Sequence, residues 1–143
     1  MIAPGTINAP ATMIGPSEFG RTCRVIRRNL LAWQWSDYAA KHQDRVNLLV
    51  HLVAVPLFQV GTLILVLGAG IRSALAIGLG VGCLVGGVLI EGRGHARERE
   101  TPTPFAGPLD FASRFVVEQW ITFPRFVLSG AWRRNFRAAA APR

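Results

Sequence analysis

The stretch YAAKHQDRVNLLVHLVAVPLF, Tyr38 to Phe58, decides the fold, because it changes from charged to almost wholly apolar within a few residues. It holds two of the chain's three histidines, His42 and His51. No residue from Val46 to Leu67 is charged. At about 1.5 Å per residue, a helix over this run is long enough to cross a hydrocarbon core. The pattern therefore predicts a membrane-spanning helix over about 46–67.

A second apolar run, ALAIGLGVGCLVGGVLI, occupies residues 74–90. The turn between the two runs is short, so the two predicted spans are antiparallel. Gly78, Gly82 and Gly86 recur every four residues and therefore share one helix face, where another helix backbone can approach closely. We expect this face to pack the hairpin tightly, with a homo-oligomer contact as its further use.

Composition and charge agree with a membrane protein. Half of the residues are hydrophobic and 17% are charged, whereas typical soluble domains have about 25% charged residues. The net charge is +8 and comes almost wholly from arginines that flank the apolar runs, with only Arg72 between them. This distribution argues against a nucleic-acid partner and predicts that both hairpin ends are cytoplasmic. The preference for arginine over lysine indicates a GC-rich genome and favours a bacterial inner membrane.

The flanks of the hairpin have amphipathic character. Residues 1–16 are rich in proline and glycine, and we expect a disordered tail without a signal peptide. From about Ser17 the pattern is helical, with a basic face followed by tryptophans, which predicts a helix in the membrane interface. A third helix from Asp110 is aromatic but interrupted by charges, which predicts an interfacial or re-entrant segment; a third span over 110–132 stays open. The predicted fold is all-α, with one helical membrane domain over 17–136 and a basic tail over 137–143.

All three histidines return to one side of the predicted hairpin. His42 is nine residues before His51, so one unbroken helix would put them on opposite faces. They can meet only if the chain breaks between them, and KHQD at 41–44, ending at the predicted N-cap Asp44, offers that break. His95 lies about a turn beyond the second run. The sequence therefore predicts that the three histidines converge at the mouth of the hairpin.

Such a cluster has the chemistry of a metal site. Imidazoles with a carboxylate suit iron, zinc or copper, and histidines with a carboxylate and open positions are how non-haem iron activates oxygen. Glu98 follows His95 by three residues and would share its face on a helix. Asn47 likewise shares a face with His51 and is expected to form hydrogen bonds beside the metal.

Two further carboxylates are assigned to charge pairing. Glu91 is interpreted as a partner of Arg93, and Glu118 as a partner of Arg114 or Arg125. Structural roles for the single histidines are the alternative to metal binding, so the metal hypothesis depends on their convergence.

Two blocks of these residues resemble the Mpo-type 2-hydroxy-fatty-acid dioxygenases, a family of small membrane proteins. The first block is Tyr38-x3-His42-x4-Asn47-x3-His51 followed by Pro56, and the second is Gly94-His95-x2-Glu98-x3-Pro102. The resemblance covers about residues 35–132, with its specific matches confined to the two blocks. Ala54 stands where the family has a glycine, and Glu98 follows its histidine by three residues where many members have four.

The resemblance implies an iron(II)-dependent α-oxidation in which a 2-hydroxy fatty acid loses one carbon with O2. His42, His51 and His95 would be the metal ligands, with Glu98 and Asn47 as catalytic residues. At headgroup depth the substrate carboxylate would pair with nearby arginines, namely Arg45, Arg93 and Arg97. Two alternatives stay open: a zinc-dependent lipid hydrolase, and a non-enzymatic lipid-binding or assembly protein with structural histidines.

Overall fold

The computed structural model describes residues 29–100 and 102–140, and every regular element in this part of the chain is helical. The helices are α1 (Leu30–Tyr38), α2 (Arg45–Gly70), α3 (Ala74–His95), α4 (Pro108–Val117), α5 (Phe123–Leu128) and α6 (Ala131–Ala138); a π-helical turn (Glu118–Thr122) joins α4 to α5. The all-α prediction is confirmed. The tail predicted over 1–16 and the basic segment from Ser17 to Arg28 lie outside the described residues.

Helices α2 and α3 form the predicted hairpin. The side chain of Asp44 caps α2 by accepting hydrogen bonds from the backbone N–H groups of Val46 and Asn47, at 2.9 and 3.0 Å. The helix then continues through Pro56. The turn at residues 71–73 places Arg72 in the left-handed region with φ 54°. Both helices extend beyond the predicted spans, and α3 runs five residues further, to His95.

Helices α2 and α3 are the two described helices that are long and apolar enough to cross a membrane. Only 22% and 17% of their most apolar stretches are buried within the protein. Side chains such as Leu63, Val66 and Leu67 are 55–67% exposed. The core helix of a soluble protein would bury these groups, whereas a helix in lipid leaves them facing the hydrocarbon.

Glycines make the contact between α2 and α3, although they are not the predicted ones. A Cβ on Gly80 would lie 2.7 Å from the backbone nitrogen of Leu65. By contrast, a Cβ on Gly78 or Gly82 would meet nothing within 4 Å, and one on Gly86 only a side-chain carbon of Leu57, at 3.8 Å. The expectation that Gly78, Gly82 and Gly86 pack the hairpin is therefore wrong.

The glycines at the contact are spaced by seven residues in each helix: Gly61 and Gly68 in α2, and Gly80, Gly87 and Gly94 in α3. Seven residues are close to two full turns, so this spacing keeps every glycine on the same face. A four-residue spacing advances about 40° around the helix at each step. The Gly78, Gly82 and Gly86 face points away from α2, and its use in an oligomer stays a prediction.

The shorter helices pack across the polar end of the hairpin. A buried cluster connects them: Tyr38, Leu48, Val55, Phe123, Phe126 and Ala131. Helix α6 is fastened to α2 by Trp132, whose Nε1 donates to the carbonyl of Leu48 at 3.0 Å. Asn135 donates to the carbonyls of Ala39 and His42, both at 2.7 Å. Arg137 and Ala138, assigned to a basic tail from the sequence, belong to α6.

Candidate metal centre

His42, His51 and His95 converge with Glu118 at the polar end of the hairpin. One potential ligand atom from each lies within 4.8 Å of the other three. The three Nε2 atoms are 3.6, 3.8 and 3.9 Å from Oε1 of Glu118. Ligand atoms about 2.1 Å from a tetrahedral ion lie about 3.4 Å apart. The three distances to Glu118 are thus a few tenths of an ångström longer than a bound ion requires. The predicted convergence of the histidines is confirmed.

Each of the four residues comes from a different part of the fold. His42 lies in the non-helical stretch between α1 and α2, which is the chain break that the sequence predicted at 41–44. His51 lies two turns into α2, and His95 is the last residue of α3. Glu118 begins the π-helical turn. Such turns are rare and occur frequently at functional sites, because they change the direction of a side chain within a helix.

Backbone carbonyls orient two of the imidazoles. Nδ1 of His42 lies 2.7 Å from the carbonyl oxygen of Tyr38, and Nδ1 of His51 lies 2.9 Å from that of Asn47. Because a carbonyl oxygen only accepts, each Nδ1 carries the proton and each Nε2 keeps a lone pair. Both Nε2 atoms are buried, and neither has a hydrogen-bond partner among residues 29–100 and 102–140. Leaving them unpaired costs free energy, and a metal ion would use both lone pairs.

The residues around Glu118 keep its carboxylate ionised, which is the form that binds a metal. Burial alone would raise its pKa, but the imidazoles of His42 and His51, whose Nε2 atoms lie 3.6 and 3.8 Å from Oε1, outweigh burial and hold the pKa of Glu118 well below its usual range. The hydroxyl of Tyr38 donates to Oε1 of Glu118 at 2.9 Å. Burial and the Glu118 carboxylate raise the pKa of Tyr38 well above its ordinary value, so the phenol stays protonated and remains a donor. Tyr38 therefore fixes the carboxylate that faces the histidines.

Glu98 has a different place from the one predicted. Its carboxylate accepts hydrogen bonds from the backbone N–H groups of Gln43 and Asp44, at 3.0 to 3.1 Å, and from Nδ2 of Asn47 at 2.7 Å. The prediction placed Glu98 on the helix face of His95, but α3 ends at His95 and the chain turns away. Glu98 holds the His42 connection against the start of α2, and Glu118 takes the position beside the histidines.

Asn47 links the two sequence blocks. Its backbone carbonyl orients His51, and its side chain donates to Glu98. Gly94 passes so close that a Cβ there would overlap Oδ1 of Asn47. A glycine before His95 is therefore needed for α3 to approach α2 at this level.

A cavity of about 410 Å³ lies beside the cluster, between α1, α4 and the end of α3. His42, His95 and Glu118 form part of its wall, whereas His51 is fully buried behind them. The rest of the wall is largely apolar and includes Trp33, Val88, Phe105, Phe111 and Phe115. The cluster is therefore open on one side to a ligand with an apolar body.

The three arginines predicted to bind a substrate carboxylate are not on the wall of this cavity. The guanidinium of Arg45 lies 4.4 Å from the ring centroid of Phe136. Arg97 pairs with Asp44 at 3.2 Å, and Arg93 donates to the carbonyl of Leu89 at 3.4 Å. Arg45 and Arg97 instead line a separate surface cleft together with Arg99.

Glu118 is the site residue that the sequence argument missed. Its predicted partners have other contacts: Arg114 pairs with Asp110 at 3.4 Å, and the guanidinium of Arg125 lies 4.1 Å from the ring centroid of Trp35. A signal for Glu118 was present in the sequence, because a carboxylate within an apolar, aromatic segment is costly and usually functional.

Glu91 also differs from its predicted role as a partner of Arg93. It is 2% exposed, and both of its oxygens accept from Nε2 of Gln119, at 2.8 and 3.0 Å. Gln119 directly follows Glu118, so this buried pair ties the π-helical turn to α3.

Comparison with protein-family models, with curated proteins and with solved structures gives no match to this chain. Fold and site together define its class. The protein is a helical hairpin long and apolar enough to span a membrane, with a cluster of three histidines and one glutamate that can bind a metal.

Proposed function

We propose that the protein is a membrane-embedded, iron(II)-dependent dioxygenase that acts on 2-hydroxy fatty acids or a similar lipid acid. The observation that carries the proposal is the pair of buried Nε2 atoms, on His42 and His51, that face Glu118 and have no hydrogen-bond partner in the part of the chain that the structure describes. A group of this composition suits iron, and iron held by histidines and a carboxylate supplies the activation of O2.

The residues around the cluster support this chemistry. His42, His51, His95 and Glu118 would hold the metal, and Tyr38 would orient Glu118 through its hydroxyl. The apolar cavity wall would bind an alkyl chain and exclude water from the reacting end. The resemblance to the dioxygenases supports the proposal further, because its two sequence blocks supply all three histidines. The one acidic member, Glu118, lies outside both blocks.

A structural zinc site is the second candidate, and the same geometry favours it over a zinc hydrolase. A hydrolytic zinc keeps one coordination position open, whereas four protein ligands fill a tetrahedral zinc. Three histidines and Glu118 offer four ligands, the number that a closed tetrahedral zinc takes. The non-enzymatic alternative, a lipid-binding or assembly protein, would use such a closed site for stability.

For the membrane, we propose a bacterial inner membrane with both hairpin ends on the cytoplasmic side. Arg45 and Arg97 lie at the polar end of the hairpin, and Arg72 is the one charged residue of the turn at the other end. An excess of arginine on one side is typical of the cytoplasmic side.

The test is metal analysis of the detergent-purified protein after anaerobic reconstitution with iron(II), with O2 uptake measured on a 2-hydroxy fatty acid. We expect about one iron per chain and substrate-dependent O2 uptake, since one cluster offers one set of ligands. His51→Ala should lose both. Thr62→Ala is the matched control, because Thr62 lies in the same helix and bonds only to the carbonyl of Phe58.

Each other outcome decides between the candidates. Tightly held zinc without O2 uptake would support the structural site and reject the oxygenase. Absence of any metal after reconstitution would reject both and leave the histidines as structural groups.

A further inference from the structure

We propose that Lys41 is the substrate-binding cation of the cavity, and that it receives the head of an amphipathic monocarboxylic acid whose tail lies along the aromatic wall. The proposal rests on the proposed function in treating this cavity as the substrate site. It differs in the residue that binds the substrate carboxylate: the sequence predicted arginines for this role, and Lys41 was not among the predicted site residues. Lys41 is the single lysine of the chain.

Among the described residues, the lysine or arginine side chains that line the cavity are Lys41 and Arg114. Arg114 already makes hydrogen bonds and an ion pair within the protein. It donates to the carbonyls of Thr103 and Pro104 at 3.0 and 3.3 Å and pairs with Asp110. Its guanidinium also lies 4.4 Å from the ring centroid of Phe105. The charge of Arg114 is therefore balanced within the wall by Asp110, whose side chain is 3% exposed. The acidic partner of Lys41, Asp37, is much more exposed, which leaves Lys41 as the better cation for a ligand.

Lys41 lines the same cavity as His42, His95 and Glu118. It directly precedes His42, and its side chain is 19% exposed. Its ammonium has three donors, of which one contacts Asp37 and one contacts Thr103 Oγ1 at 3.1 Å. One donor remains for an acid, and a carboxylate bound there would lie beside the histidine cluster.

The carboxylates on the cavity wall have interaction partners within the protein. Glu98 accepts from backbone N–H groups, Glu91 accepts from Gln119, and Glu118 faces the histidines. Asp37 differs from the other carboxylates of the wall because its partner is Lys41 itself. Its side chain is 40% exposed, so it can turn to solvent when an incoming acid takes its place.

The experiment measures binding to the metal-free protein. Radiolabelled hexadecanoic acid is retained on immobilised protein in detergent, and unlabelled hexadecanoic acid or hexadecanol competes for it. We expect wild type to prefer the acid over the alcohol by about tenfold, which is the effect of one favourable charge contact of about 1.4 kcal/mol. Lys41→Met should lose this preference and keep its affinity for the alcohol, and Lys41→Arg should retain most of the preference.

Arg93→Met is the matched control, since it removes a positive charge near the site from a residue that does not line the cavity. It should bind the acid as wild type does. Circular dichroism shows whether Lys41→Met keeps its helices, and the alcohol measurement shows whether its cavity is intact. An unchanged preference for the acid in Lys41→Met, or no preference in wild type, would overturn the proposal.

This binding experiment tests the acid site independently of the proposed function, because it uses the metal-free protein. A protein that binds the acid through Lys41 and takes up no iron would reject the oxygenase and retain the acid site. A protein that takes up iron but binds the alcohol as tightly as the acid would retain the oxygenase and reject the acid site at Lys41.

Discussion

The two ends of the α2–α3 hairpin are held together by different chemistry. Towards the turn, backbone packs on backbone, and a Cβ on Gly80 would lie 2.7 Å from the backbone nitrogen of Leu65. At the other end the helices bury Asn47, His51 and Glu91, each 2% exposed or less. One hairpin thus combines a contact made of small residues with one made of polar residues.

The difference separates a structural role from a functional one. Between helices in lipid, close packing is a main source of stability and needs no polar group. Burying polar groups is costly unless each finds a partner. At the polar end, several buried polar atoms have no hydrogen-bond partner among the described residues, and two of them, the Nε2 atoms of His42 and His51, face Glu118. The polar end is therefore arranged for a ligand, and the glycine end holds the hairpin in place.

The largest expected effect comes from removing the charge of Glu118 at the polar end. Glu118→Gln removes a charged group that faces all three Nε2 atoms. We expect metal affinity to fall by more than about 100-fold, the upper range for residues that only support a ligand. Competition with a calibrated chelator measures it. Retention of metal by Glu118→Gln would contradict the assignment of Glu118 as a ligand.

Glu98→Gln is the matched variant for that experiment. Its carboxylate bonds to Asn47 and to the backbone of Gln43 and Asp44 but does not face the cluster. Weakening hydrogen bonds to a charged group should lower stability by about 1–2 kcal/mol, seen as a lower unfolding temperature in detergent. Metal affinity in the folded protein should change much less than in Glu118→Gln. Equal loss of metal in both variants would show that Glu98 belongs to the site.

The glycine end provides the next comparison. Gly80→Ala forces its Cβ against the backbone of Leu65 and should destabilise the hairpin by about 1–3 kcal/mol. Gly78→Ala adds the same methyl group where nothing lies within 4 Å, and alanine favours a helix more than glycine does. Thermal unfolding in detergent should therefore separate the two variants. Destabilisation by Gly78→Ala instead would indicate that the outer face makes a contact of its own, as an oligomer would.

The fold and three of the four cluster residues could be predicted from local features. Uncharged length predicted the two long apolar helices, and the nine-residue separation of His42 and His51 required the chain break that the structure contains. Glu118 depends on tertiary contacts, such as the hydrogen bond from Tyr38, 80 residues earlier, and no spacing rule connects it to His42. The error with Glu98 came from extending a helix beyond its last residue, His95.

The glycine error has a similar origin. A four-residue repeat was visible in the sequence, but which face of α3 meets α2 depends on the rotation of both helices. The seven-residue repeat of Gly80, Gly87 and Gly94 was present in the same run. Because both repeats occur in a glycine-rich helix, the partner helix decides between them, and Gly61 and Gly68 are the matching residues.

The smallest expected effect tests how the polar end holds its ligand. Tyr38→Phe removes the hydroxyl that donates to Glu118 at 2.9 Å and keeps the ring that stacks on His42 at a centroid distance of 3.9 Å. Residues that orient a metal ligand typically change affinity by about 10- to 100-fold, and we expect the lower figure because both histidine contacts to Glu118 persist. Chelator competition measures it, with circular dichroism as the control for folding. An affinity equal to that of wild type would mean that His42 and His51 alone orient Glu118. A loss as large as that of Glu118→Gln would mean that the carboxylate turns away from the cluster without its phenol.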